Sequence, residues 1–197
     1  MKNDQYESLI SSVAEKSYGI LESFVDSDLL MNLRKILLSK LEEGEMHQAG
    51  VGRRYSFVEN TKVRGDLISW IEPDNANLYE EMFFDWIDQF LTYLNQTCYT
   101  NLKGYEFHYA YYDIGSFYKR HLDQFKSDSG RKFSFVCYLN PHWDEKDGGQ
   151  LVLYTPNEKK VIQPRAGTVC FFKSDEIEHE VLETLQPRLS ITGWLKT

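Results

Sequence analysis

The sequence predicts an α+β fold in which N-terminal helices pack on one sheet of an antiparallel double sheet, a sandwich or jelly roll. Three observations predict it. Apolar residues recur at helical spacing through roughly the first 100 residues, the period changes to that of strands after Tyr105, and short strand-like runs then follow one another with turn signals between them and no intervening helix. A chain of 197 residues with 42% hydrophobic and 26% charged residues is long enough to bury a real core as one domain, and it carries no repeat or Pro/Gly/Ser linker. The expected unit is therefore a single domain over 1–197, helical to about residue 100 and β-rich from about 105.

In the helical part, Asp26 or Ser27 can cap a helix whose Leu29, Leu30, Leu33, Ile36, Leu37 and Leu41 share a face, with Gly44 as its stop. A second helix is predicted from about Asn77 to Tyr99. Its ladder is Leu78, Met82, Trp86, Phe90 and Leu94, with Phe83, Ile87 and Leu91 beside it, a stripe suited to packing against a sheet. Between the two helices, Gln48 to Glu72 reads as a hairpin or loop. The strand-like runs are Tyr105 to Tyr112, Lys132 to Leu139, Gln150 to Tyr154, Thr168 to Phe172, His179 to Leu182 and Arg188 to Trp194. Turn signals such as Asp113-Ile114-Gly115 and Asp147-Gly148-Gly149 separate them.

Charge and composition exclude several classes of function. With 22 Lys+Arg against 30 Asp+Glu, the net charge of −8 argues against a nucleic-acid groove, which relies on clustered cations. No run approaches the ~18 apolar residues of a membrane span, and the start reads as a polar helix and not as a signal peptide. Cys98, Cys137 and Cys170 are an odd number at wide spacing, as expected of free thiols in a reducing cytoplasm. No Gly-rich phosphate loop or serine-nucleophile signature is present.

The chemistry-bearing pattern lies in the β half. His121-Leu122-Asp123 places an imidazole and a carboxylate two residues apart at a strand end, and His179 follows 56 residues after Asp123. Two histidines and one carboxylate on one face form the facial triad of non-haem Fe(II) oxygenases, although a His-x-Asp by itself also arises by chance. Arg188 follows His179 by nine residues, on a strand whose alternation groups Arg188, Ser190, Thr192 and Trp194 on one face and Leu189 and Ile191 on the other. A guanidinium buried there needs an anion, and a carboxylate held bidentately is the natural partner. Tyr138, on another strand, can add a hydroxyl.

These residues, in this order, resemble the 2-oxoglutarate- and Fe(II)-dependent prolyl 4-hydroxylases, close to the hypoxia-inducible-factor prolyl hydroxylases and their bacterial counterparts. The likeness runs from Val63-Arg-Gly-Asp-Leu-Ile-Ser-Trp-Ile-Glu72 through Tyr112-Asp-Ile-Gly-Ser-Phe-Tyr-Lys-Arg-His-Leu-Asp123, Tyr138-Leu-Asn140, Asp147-Gly-Gly-Gln-Leu151 and Phe171-Phe172 to His179, Arg188 and Trp194. The resemblance implies a double-stranded β-helix in which His121, Asp123 and His179 bind Fe(II). It implies that Arg188 and Tyr138 hold the distal carboxylate of 2-oxoglutarate, that Tyr112 lies near its metal-bound end, and that Thr192 and Trp194 line the pocket. Asp66, Trp70 and Arg131 match positions near the pocket mouth, and Gln48 to Lys62 matches a substrate-covering loop. The implied activity is hydroxylation of a prolyl residue in a protein, using O2 and giving succinate and CO2, with ascorbate as reductant. The readings set against it are a nucleic-acid demethylase of the same superfamily, a cupin-type metal enzyme and an inactive scaffold. A demethylase would carry a second arginine where this chain has Trp194.

Overall fold

The computed structural model describes residues 2–23, 25–51, 58–59, 63–124 and 130–197. In chain order the elements are α1 (Lys2–Lys16), β1 (Tyr18–Leu21), α2 (Ser27–Glu42), β2 (His47–Gln48), β3 (Gly50–Val51), β4 (Val58–Glu59), β5 (Leu67–Ile71), α3 (Leu78–Cys98), β6 (Gly104–Tyr112) and β7 (Tyr118–His121). They continue with β8 (Arg131–Tyr138), β9 (Leu151–Tyr154), β10 (Lys159–Ile162), β11 (Val169–Lys173), β12 (Glu178–Val181) and β13 (Arg188–Lys196). A larger sheet runs β1-β11-β8-β13-β6-β5-β2 and a smaller one β10-β9-β12-β7, all of their pairs antiparallel.

Local chemistry accounts for the helix ends. Asp26 caps α2 by accepting from the amides of Asp28 and Leu29. Asn77 and Glu80 form a reciprocal capping box on α3, which ends at Tyr99 in the left-handed region. Alternation along the strands then sorts side chains between two cores. On β13, Leu189, Ile191 and Leu195 join Phe83, Ile87 and Phe90 of α3 on the outer face of the larger sheet. On the opposite face, Tyr112, Val136, Tyr138, Leu151, Leu153 and Phe172 fill the space between the sheets.

Two expectations change. The N-terminal part is not all helix, because β1 adds to one edge of the larger sheet beside β11 and β5 pairs along β6. The α3 ladder is rotated: Leu78 and Met82 are 63% and 46% exposed, and the buried arc centres on Phe83, Ile87, Phe90 and Leu94. The capping box accounts for this, since it brings Glu80 inward, where it accepts a 3.0 Å hydrogen bond from Tyr109. Within Gln48 to Lys62 the β3–β4 ladder is a hairpin pairing, and residues 52–57 and 60–62 of that predicted loop lie outside the described residues.

Candidate active site

One cavity of about 540 Å3 opens between the sheets, within the range of roughly 300–1,000 Å3 typical of small-molecule sites. Its lining includes His121, Asp123 and His179 together with the buried Arg188.

β7 and β12 are antiparallel neighbours in register, so His121 stands directly opposite His179. The register shifts one step further along, between His179 and Val181. Asp123 lies just past the end of β7, and ligand atoms of the three residues are all within 4.8 Å of one another. Each imidazole is oriented by its backbone: His121 Nδ1 donates to Lys119 O at 2.7 Å and His179 Nδ1 to Ile177 O at 3.2 Å. That leaves both Nε2 lone pairs facing inward, 3.5 Å from the Asp123 oxygens, the arrangement that metal-binding histidines need. Burial pushes His179 down to about 4 against the pull of Asp123, so the ring is neutral and able to ligate. Burial opposes ionisation of Asp123, but His179, His121 and the Ser134 hydroxyl outweigh it and hold the carboxyl below the usual carboxylate range. A carboxylate and two imidazoles can hold a divalent first-row metal on one face.

Arg188 is 2% exposed and, among the described residues, no carboxylate pairs with it. Its Nε donates to Gly149 O at 2.9 Å and its Nη1 reaches Ser190 Oγ at 3.4 Å. The guanidinium carbon sits 4.8 Å from the Tyr112 ring centre and 5.1 Å from that of Tyr138. The Tyr138 hydroxyl beside it is buried without a hydrogen-bond partner. Burial raises both tyrosines far above the phenol range, so both hydroxyls remain protonated and able to donate. A buried cation and an orphaned hydroxyl side by side are costly unless an anion joins them, and a carboxylate fits both.

Thr192 and Trp194 line the cavity, as do Asp66, Trp70 and Arg131. Tyr138 is not on the open wall; it lies behind, in the core between the sheets. Asp66 is fully buried and held by Arg64 through bonds of 2.8 and 2.5 Å, so its carboxylate already has a cation. Arg131 pairs with Glu106 at 2.8 Å and lies 3.4 Å over the Trp194 ring. Sequence reasoning leaves His108 without a partner. The structure places it between Trp70 and Trp194, at centroid distances of 5.1 and 5.5 Å. No local spacing points to Gly149, which a hydrogen bond from Arg188, 39 residues on, identifies, while Arg64 bonds Asp66 only two residues away and is identified by the ring it covers. Arg64 lies 4.3 Å over the Tyr118 ring, which stacks on His121 at 3.6 Å.

Comparison with known proteins agrees with this geometry. The family model described as the 2OG-Fe(II) oxygenase superfamily matches residues 107–196. The crystal structure of a Pseudomonas putida prolyl-4-hydroxylase is 33% identical, covers 98% of this chain and 100% of its own, and superposes with a TM-score of 0.91. A Trichoplax adhaerens prolyl hydroxylase, solved in complex with a hypoxia-inducible-factor oxygen-degradation-domain peptide, is 25% identical over 99% of this chain and 90% of its own, with a TM-score of 0.87. The Xenopus laevis prolyl 3-hydroxylase OGFOD1 is 27% identical over 90% of this chain, which spans only 34% of that protein's length.

Proposed function

Since the chain belongs to the 2-oxoglutarate- and Fe(II)-dependent oxygenases, in the family of the prolyl hydroxylases, we propose that it hydroxylates a prolyl residue of a protein substrate at C-4. In this reading His121, Asp123 and His179 hold Fe(II), and Arg188 with Tyr138 holds the distal carboxylate of 2-oxoglutarate. Tyr112, Thr192 and Trp194 line the pocket around the cosubstrate, and Trp70, Arg131 and the Arg64–Asp66 pair shape the mouth. When bound, Fe(II), 2-oxoglutarate and O2 together supply an oxidative decarboxylation that yields succinate and CO2 and converts a C–H bond to C–OH. The observation that carries the reading is the buried Arg188 without a carboxylate, beside an orphaned Tyr138 hydroxyl and in one cavity with the three-ligand cluster.

The chain's own part is to bind, orient and exclude water. The Nδ1 bonds keep both imidazoles aimed inward, and Arg188 fixes the cosubstrate from the end remote from the ligands. The aromatic surface of Trp70, Tyr112, Tyr118 and Trp194 suits a proline ring in an extended peptide. Residues 1–197 form one oxygenase domain in this account, with ascorbate as the reductant that keeps the iron ferrous. We place the activity in the cytoplasm: all three cysteines are free thiols, which suits a reducing compartment. No helix among the described residues is long and apolar enough to cross a membrane. The acidic balance and Trp194 at the demethylase arginine position favour a protein over a nucleic acid as substrate.

The test is turnover on a library of proline-containing peptides with Fe(II), 2-oxoglutarate and ascorbate, followed by succinate release and mass spectrometry. One oxygen atom added at a prolyl residue, with fragmentation assigning C-4, is the expected result. Addition at C-3 would correct the position. Oxidation confined to a nucleobase or a free small molecule would contradict the reading.

A further inference from the structure

Asp123 is held by more than the two imidazoles that face it. It stands at the end of the smaller sheet, yet its Oδ2 accepts a 2.6 Å hydrogen bond from Ser134 Oγ on β8 of the larger sheet. Ser134 Oγ in turn lies 2.9 Å from Ser174 Oγ, just beyond β11, and both serines are fully buried. Backbone bonds tie the same corner together, Gln124 N to Ser174 O at 3.2 Å and Ser174 N to Lys132 O at 3.0 Å.

Counting protons fixes the direction of this chain. A hydroxyl owns one proton, and an ionised carboxylate has none to give. The Ser134 proton is therefore committed to Asp123, and Ser174 must be the donor to Ser134. Each bond in the order Ser174 to Ser134 to Asp123 polarises the next. Each Asp123 oxygen lies 3.5 Å from one imidazole, Oδ1 from His121 Nε2 and Oδ2 from His179 Nε2, so the hydroxyl of the larger sheet on Oδ2 alone is what distinguishes the two.

We propose that Ser134 and Ser174 are positioning residues for the metal: by engaging Oδ2 they present Oδ1 as the single ligating oxygen of Asp123. The inference rests on the Fe(II) reading above and adds to it residues outside the three ligands. Without the serines the two oxygens become equivalent. The carboxylate is then free to turn or to chelate through both, taking up a coordination position that the cosubstrate or O2 requires. Serines that merely satisfied a buried carboxylate would affect folding and leave the metal's coordination unchanged.

The experiment uses the full chain, with Ser134→Ala, Ser134→Thr and Ser174→Ala. Anaerobic calorimetry measures Fe(II) affinity, and the visible d–d spectrum of added Co(II) reports its coordination. Ser134→Ala is expected to weaken Fe(II) binding by about tenfold or more and to alter the Co(II) bands, as loss of a hydrogen bond to a metal ligand does elsewhere. Ser134→Thr keeps the hydroxyl and is expected to retain both, and Ser174→Ala is expected to change both in the same direction by a smaller factor. A folded Ser134→Ala with wild-type Fe(II) affinity and an unchanged Co(II) spectrum would overturn the proposal. If Ser134→Ala does not fold, Ser174→Ala decides on the same two readouts, and no change in either overturns it. A wild-type chain that binds neither ion would remove the Fe(II) reading and this one together; wild-type binding with unaffected variants removes this one alone.

Discussion

At Gly149 the backbone sits at φ +64°, and a Cβ there would meet Thr184 Oγ1 at 2.9 Å and Arg188 Cδ at 3.0 Å. The same residue's carbonyl accepts the Arg188 Nε bond, so the glycine both admits and aims the guanidinium. Gly149→Ala is expected to cost about 1–3 kcal/mol of stability in urea unfolding, the usual range for backbone forced into that region. It should also weaken 2-oxoglutarate binding about tenfold in an anaerobic titration, roughly 1.4 kcal/mol. A second prediction at this scale concerns pH. Burial, with Arg64 nearby, pushes His108 down to about 3, and burial pushes His179 down to about 4, both from 6.5. The unfolded chain therefore takes up protons before the folded one as pH falls below about 6.5, and stability falls with it. In metal-stripped protein each histidine should add a slope approaching about 1.4 kcal/mol per pH unit between pH 6 and 4. His108→Phe should remove one of the two contributions, read as urea midpoints against pH. His121 with Asp123, and His179 with Arg188, are legible in the sequence because they stand two and nine residues apart, and the family resemblance joins the two pairs across the 56 residues between them. Ser134 and Gly149 are not, because each acts through a partner that only the tertiary fold brings near: Ser134 is 11 residues from Asp123, and Gly149 is 39 from Arg188.

Among the elements, α3 and β13 carry the site's precision. β13 is central in the larger sheet, paired on both sides, and its alternation alone sends Arg188, Thr192 and Trp194 to the cavity and Leu189, Ile191 and Leu195 to the helices. That sorting was readable from the period-two pattern. The rotation of α3 was not, since a broad apolar stripe fits several rotations and the Glu80–Tyr109 bond selects one. The rotation predicts unequal mutations: Phe83→Ala should cost about 3–5 kcal/mol, while Met82→Ala, one residue away and exposed, should stay within about 0.5 kcal/mol in the same unfolding assay. β1 and β10 escaped notice because each is four residues long and at a sheet edge, where a short run offers little period to detect. β5 escaped because its Leu67-Ile68-Ser69-Trp70-Ile71 does not alternate.

In the whole molecule, two sheets backed by a helical layer form the frame that would hold one metal and one keto acid. His121, Asp123 and His179 come from the smaller sheet's β7 end and β12, and Arg188 comes from the larger sheet, so the cosubstrate would bridge the two. Metal should accordingly stabilise the fold as a unit. Co(II) at a hundred times its dissociation constant should add about 2.7 kcal/mol to unfolding, and the gain should vanish with chelator or in His179→Ala. The most direct test of the central claim is anaerobic addition of Fe(II) and then 2-oxoglutarate to the purified chain, watched for a visible metal-to-ligand charge-transfer band. The account predicts a band that saturates with 2-oxoglutarate, is lost in His121→Ala, and needs far more 2-oxoglutarate in Arg188→Ala. A folded, Fe(II)-loaded chain that gives no band at saturating 2-oxoglutarate would contradict it.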